Sequence, residues 1–240
     1  MFRIDDLQIT GRNGKPLSIM QNPKWFCFGI DAVLLSGFAK VKKNEKVLDL
    51  CSGTGIIAVL LSAKTNAKHI DAVEIQPEMC SLAQKTVLYN DLQDVISVKN
   101  ADLKEYKNEF LYDCIVCNPP YKEVGGGNIT DVKQVAVSRN EILCTLNDVL
   151  KCVSSNLKFG GNFYMVHRPE RLSDIICAMR NNGIEPKRIR PVVSYADSKP
   201  AMILVEGKKG AKHKMIFENQ LVIYENNGEY TKDVKEIYGI

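Results

Sequence analysis

Residues 46–58, KVLDLCSGTGIIA, hold the signal that orders everything around them. Val47 to Leu50 is a short apolar run between a charged residue and a glycine turn, as expected for a strand buried on both faces of a parallel sheet. The turn carries Gly53 and Gly55, and GIIAVLLSAK at 55–64 then has the length and composition of a helix. The same alternation continues downstream. HIDAVEI at 69–75 reads as a second strand, PEMCSLAQKTVLYNDL at 77–92 as a helix opening on proline, and ISVKNADL at 96–103 as a third strand. YDCIVCN at 112–118 reads as a fourth strand, followed by a glycine-rich loop, GGGN at 125–128. The segment 140–161 is expected to be a helix stopped by Gly160 and Gly161, and GNFYMVH at 161–167 is a fifth strand. A helix at 171–183 leads into PKRIRPVVS at 186–194 and PAMILVEGKK at 200–209. These last two are too close together for a helix between them, so they must pair antiparallel at one edge.

Repeated strand–helix units predict an α/β fold, a Rossmann-like sheet of seven strands, mostly parallel with an antiparallel edge hairpin and helices on both faces. Residues 1–240 are expected to form a single domain, with 1–40 as an N-terminal cover containing a helix near 30–39 and 46–240 as the α/β core. The tail from Ile216 is expected to finish the edge of the sheet.

With 45% hydrophobic and 25% charged residues, the 240-residue chain resembles an average globular protein, which argues against wholesale disorder. Nothing approaches the roughly 20 apolar residues that span a bilayer, and MFRIDDLQITG lacks the order of a signal peptide. A cytoplasmic protein without membrane contact is expected, and the lack of a coiled-coil pattern favours a monomer. Of the eight cysteines, six lie singly in apolar segments and are expected to be buried thiols. Cys114 and Cys117 share a strand and point to opposite faces, so no metal site is expected. A net charge of +4 grows toward the C-terminal third, with Lys187, Arg188, Arg190, Lys199, Lys208, Lys209, Lys212 and Lys214. That permits a polyanionic partner and equally suits a solvated surface.

Ligands of such sheets bind outside the carboxyl ends of the strands. There the chain places Asp49, Gly53 and Gly55 after the first strand, Glu74 and Ile75 after the second, and Asp102 and Leu103 after the third. The glycines admit a ligand close to the backbone. Glu74, about 20 residues past the glycine turn, is placed to accept two ribose hydroxyls, and Asp102 or the Leu103 amide to bind an adenine edge. A Gly-x-Gly-x-x-Ala turn alone is shared with NAD-binding proteins. Asp49 sits badly beside a pyrophosphate and well beside a cationic ammonium and sulfonium, which favours S-adenosyl-L-methionine, with S-adenosyl-L-homocysteine as product.

The fourth strand ends in Asn118-Pro119-Pro120-Tyr121. Two prolines fix φ and remove two N–H donors, making a stiff corner of acceptors. A planar amino nitrogen is a poor nucleophile because its lone pair is delocalised. If Asn118 and the Pro119 carbonyl each accept one N–H, the nitrogen is drawn toward pyramidal geometry, and Tyr121 stacks on its ring. Orientation and electrostatic acceptance then carry the catalysis.

DLCSGTG together with NPPY resembles the N6-adenine and glutamine-amide methyltransferases, whose topology the closing hairpin also fits. Over most of its length, through FGIDAVLLSGFA, VLDLCSGTGIIA, AVEIQPE, CNPPY, VHRPERL and LVEGKKG, the chain is similar to the bacterial tRNA1(Val) adenine-37 N6-methyltransferase family. That resemblance implies Phe28, Gly29 and Asp31 at the methionine end of the cofactor, with Asp31 meeting its ammonium group. It also implies Glu74 at the ribose, Asp102 beside adenine, and Asn118 to Tyr121 holding a flipped base. Arg139, Arg168 and Arg171 would then meet RNA phosphates. Cys51 departs from related motifs, which often carry glycine there. Alternatives are a glutamine methyltransferase acting on a release factor, an adenine methyltransferase acting on other RNA or DNA, an NAD-linked oxidoreductase, which leaves NPPY without a role, and a noncatalytic RNA-binding module.

Overall fold

The computed structural model describes residues 2–25, 27–120 and 144–240. Tyr121, the GGGN loop at 125–128, Arg139 and the first residues of the expected 140–161 helix lie outside the described residues. The described chain runs β1 (Arg3–Thr10), β2 (Pro16–Gln21), α1 (Ile30–Phe38), β3 (Lys46–Leu50), α2 (Ile56–Lys64), β4 (His69–Glu74), α3 (Pro77–Tyr89), β5 (Ile96–Asn100) and β6 (Tyr112–Cys117). It continues with α4 (Leu146–Asn156), β7 (Leu157–His167), α5 (Leu172–Asn181), β8 (Ile184–Val193), β9 (Pro200–Lys209), β10 (Ile216–Phe217), β11 (Leu221–Val222) and α6 (Lys232–Tyr238).

The main sheet has the order β10-β8-β9-β7-β6-β3-β4-β5, with β11 also on β8. Its seven longer strands are those expected, and β9 alone runs antiparallel to its neighbours β7 and β8. The period-two alternation of a strand sorts its side chains into two cores. Val47, Ile70, Cys114, Val116 and Tyr164 face α1 and α2, while Leu48, Val73, Ile115, Cys117 and Phe163 face α4 and α5. Cys114 and Cys117 thus lie on opposite faces, and all eight cysteines are free thiols; of the six others expected to be buried, Cys80 and Cys152 are, Cys27, Cys51 and Cys144 are partly so, and Cys177 is exposed.

Several local expectations are corrected. The glycines at 160–161 do not stop a helix: α4 ends at Asn156, and β7 has already begun at Leu157. Thr145 opens α4 through a capping box with Asp148, and the fully buried Leu157 fits the sheet better than another turn of helix. The N-terminal cover contains, besides α1, a two-stranded hairpin, β1–β2. Asn90 fastens it to the end of α3 by bonds to both the N–H and the carbonyl of Ser18, and Thr86 accepts from the Met20 N–H. The tail finishes the sheet edge as expected, through β10 and β11, and its last residues form α6, which packs on α1.

The edge strand is latched to α1 by Arg188, which pairs with Glu206 and Glu218, donates to the Phe38 carbonyl and lies over the Phe38 ring. In the last turn of α1, Gly37 touches α6 so closely that an added Cβ would lie 2.7 Å from Ile237. Gly37→Ala is therefore expected to lower stability by ~1–3 kcal/mol, overpacking outweighing the ~1 kcal/mol of helix propensity it gains. Denaturant melts of Gly37→Ala, Ile237→Ala and the double variant check it, the double variant losing clearly less than the sum of the two single losses.

Candidate active site

The carboxyl ends of β3, β4 and β6, the residues after β5 and the segment entering α1 enclose a cavity of about 430 Å³. That is within the roughly 300–1,000 Å³ of small-molecule sites. Its wall includes Phe28, Gly29, Asp31, Gly53, Glu74, Ile75, Asp102, Leu103, Asn118, Pro119 and Pro120. Residues almost 100 positions apart in sequence meet here because parallel strands deliver their ends to one rim.

Glu74 is almost fully buried, and its carboxylate is braced by backbone donors. Oε2 accepts from the Gly53 N–H at 2.9 Å and Oε1 from the Gln76 N–H at 2.9 Å. Burial pushes its carboxyl up, and these donors pull it back down. Each oxygen keeps acceptor capacity for a hydroxyl of a ligand.

At the entrance, Gly29 precedes α1, and a Cβ there would meet the Asp31 carboxylate at 2.8 Å. Gln21 accepts from the Phe28 N–H at 3.0 Å and so ties this wall to β2. Asp31 accepts from the Ala32 N–H at 3.0 Å and from Asn118 Nδ2 at 3.1 Å. A carboxylate can only accept, so it draws the NH2 end of the Asn118 amide to itself. The other end, Oδ1, is buried without a hydrogen-bond partner. Ser52 Oγ, also on the wall, is in the same state.

Two expected residues stand behind the wall. Gly55 has φ +82° and opens α2, and its missing Cβ gives room to Ala83 of α3, so it serves turn and helix packing. Asp49 is fully buried. Its Oδ2 accepts from the Ala58 N–H at 3.2 Å, its Oδ1 has no partner, and burial raises its carboxyl to about 8. Arg168 lines the rim and donates to the Ala201 carbonyl, whereas Arg171 is off the wall and pairs with Asp174. The late lysines are elsewhere: β9 runs away from the rim, so Lys208, Lys209 and Lys212 lie toward the opposite end of the sheet. Lys209 there donates to the carbonyls of Ser154 and Leu157.

The departure at Cys51 has a backbone meaning. Its φ is +57°, the left-handed region that glycine enters freely and that costs other residues ~1–2 kcal/mol. Sequence reasoning missed Cys144 and Met202 on the wall. Cys144 lies just before α4 and Met202 at the start of the reversed strand β9, and neither position carries a motif.

The cavity fits the implied cofactor on its donors and acceptors: a buried carboxylate for hydroxyls, the unpartnered Ser52 Oγ, and acidic groups for a cationic ligand. Among the described residues, no group of three or more His, Cys, Asp or Glu could hold a metal ion, and no helix is long and apolar enough to cross a membrane.

Residues 29–171 match the family model described as the methyltransferase small domain. A tRNA1(Val) (adenine(37)-N6)-methyltransferase from Parabacteroides distasonis is 30% identical over 180 residues, covering 74% of this chain and 75% of its own. An enzyme of the same name from Haemophilus influenzae is 25% identical over 237 residues, covering 95% and 97%. Among solved structures, a predicted O-methyltransferase from Agrobacterium tumefaciens superposes with a TM-score of 0.70 at 19% identity, covering 87% of this chain and 95% of that one. At that identity the likeness concerns the fold, a class I methyltransferase sheet.

Asp49 sets a pH dependence. A folded-state pKa raised to about 8 means that the proton favours the folded chain. This contribution is complete below the ordinary carboxylate value near 4 and is lost as pH climbs through about 8. Thermal melts of the cofactor-free protein between those limits should show stability falling with pH, and Asp49→Asn, which cannot ionise, should flatten the fall. Equal slopes for the two proteins would contradict the raised carboxyl.

Proposed function

The chain belongs to the methyltransferase small domain family, and within it to the tRNA1(Val) (adenine(37)-N6)-methyltransferases, and from that membership we propose how its cavity methylates adenine N6 in tRNA. It is an S-adenosylmethionine-dependent enzyme, and the nucleotide we assign to it is adenine 37 of tRNA1(Val). The observation that carries the residue assignment is the Asp31–Asn118 hydrogen bond, which leaves Asn118 Oδ1 as an unspent acceptor beside the cavity.

Glu74 would hold the ribose hydroxyls of the cofactor, Asp102 and the Leu103 amide its adenine, with Ile75 against the ring. Phe28, Gly29 and Asp31 would enclose its methionine end. When bound, the cofactor supplies an electrophilic methyl group on a cationic sulfur. Gly53 would admit it close to the backbone and Gly55 shapes the turn, while Asp49, whose carboxyl burial raises to about 8, would answer its positive charge from behind the wall on losing its proton.

The target base must leave its stack to reach this corner. Asn118 Oδ1 and the Pro119 carbonyl then accept one N–H each from the exocyclic amine. This removes part of its conjugation and turns the lone pair toward the methyl group. Pro120 keeps the corner rigid, and Tyr121, beyond the described residues, is assigned to stack on the ring. No base has to remove a proton first, because the nitrogen becomes acidic once it carries the methyl. Arg168 on the rim, and Arg139 outside the described residues, would pair with phosphates. Residues 1–240 are read as one domain working as a monomer.

Incubation with labelled cofactor and unmodified total tRNA, release factor or DNA should place the label in tRNA, as N6-methyladenosine at position 37 of tRNA1(Val). Label confined to a release-factor glutamine or to DNA would overturn the assignment. Asn118→Ala should keep cofactor affinity and lower kcat by about 10²–10³, the loss typical of removing one preorganised polar contact. Undiminished turnover in this variant would sink the role given to the corner.

A further inference from the structure

Four tyrosines from three separate segments form a column. The ring centroids of Tyr195 and Tyr224 are 5.7 Å apart, those of Tyr224 and Tyr230 5.4 Å, and those of Tyr230 and Tyr238 5.2 Å. The last two pairs are stacked within 16° of parallel. Tyr224, Tyr230 and Tyr238 are half-buried and pack on the core beside α1. Tyr195, at the outer end, keeps 45% of its surface exposed.

The outer end of the column lies at the same end of the sheet as the cavity. β8 runs parallel to β7, so the turn after Val193 that carries Tyr195 emerges on the same edge of the sheet as Arg168 after β7. Met202, on the cavity wall, is paired with Val192 of β8. β8 is two strands from β7, and at ~4.8 Å per strand Tyr195 stands on the order of 10 Å along the rim from Arg168. The turn is held in place: Ser198 N–H donates to the Tyr195 carbonyl, Gln220 Nε2 to the Ala196 carbonyl, and Tyr224 N–H to the Ser194 carbonyl. The same turn carries two exposed charges of opposite sign, Asp197 and Lys199.

The column ends in a part-exposed aromatic ring on a fixed turn, the form of a stacking platform for an unpaired base. We propose that Tyr195 receives a nucleobase flanking the methylated adenine, so that the enzyme grips the loop at a second point while the target base enters the cavity. This rests on the RNA reading above. It adds a contact to the substrate that needs no sequence-specific hydrogen bond, since every base has a π face.

The test uses the full chain and a short stem-loop RNA carrying the target adenine, with kcat, KM and cofactor Kd measured separately. Tyr195→Ala should raise the RNA KM about tenfold, the scale of one lost base–aromatic stack. The kcat and cofactor Kd should stay near wild type, and Tyr195→Phe should recover most of the lost affinity. Removing one flanking base as an abasic site should weaken wild type by a similar factor, with Tyr195→Ala on that RNA adding little further. An unchanged KM in Tyr195→Ala, or equal losses on intact RNA and on RNA abasic at each flanking position, would overturn the platform and leave the methyltransferase reading standing. Failure of the wild-type enzyme to methylate any RNA would overturn the RNA reading first and the platform with it.

Discussion

A carboxylate kept from water must be surrounded by donors, and the turn after β3 is shaped around this requirement. Glu74 takes the Gly53 N–H on one oxygen and the Gln76 N–H on the other, joining the loop after β3 to the entry of α3. The backbone can present Gly53 in this way because it turns through positive φ at Cys51, Gly53 and Gly55. The same contacts that satisfy the buried charge also shape this wall of the cavity. One set of bonds thus serves both the stability of the loop and the form of the cavity.

The Asn118 corner depends on a second, longer-range tie. Prolines can stiffen a backbone from within, but they cannot choose which end of an asparagine amide faces a ligand. That choice comes from Asp31, 87 positions earlier, at the first turn of α1. The segment entering α1 is in turn held by Gln21 of β2, and the far end of α1 by Arg188 of β8. The N-terminal cover and the far edge of the sheet therefore both bear on the geometry of the corner.

Most of this architecture was legible in the sequence because strand ends announce themselves. Buried parallel strands are short apolar runs, and the residues just after them are compelled by topology to meet, so Glu74, Asp102 and Asn118 could be placed on one rim without coordinates. What could not be read was what lies behind or beside that rim. Whether Asp49 touches the cavity or backs it depends on the tilt of one turn, and Gly55 looks like a ligand glycine until Ala83 is seen against it. The lysines of β9 cluster in sequence, yet the reversed direction of that strand carries them away from the site. Gly160 and Gly161 resemble a helix stop, but the capping signals of α4 and the burial of Leu157 outweigh them. The tyrosine column was invisible because its members come from a loop, a short bridge and a helix with no shared spacing.

The two-residue strands β10 and β11 are the smallest elements in the sheet, and both lie along the outer side of β8. An exposed strand edge is a template on which another chain can add. By laying its own tail there in two brief stretches, the chain occupies much of that template and offers a visitor no long uninterrupted row of free donors and acceptors. The modest C-terminal tail thus takes up backbone groups that β8 would otherwise leave unpaired along this side of the sheet.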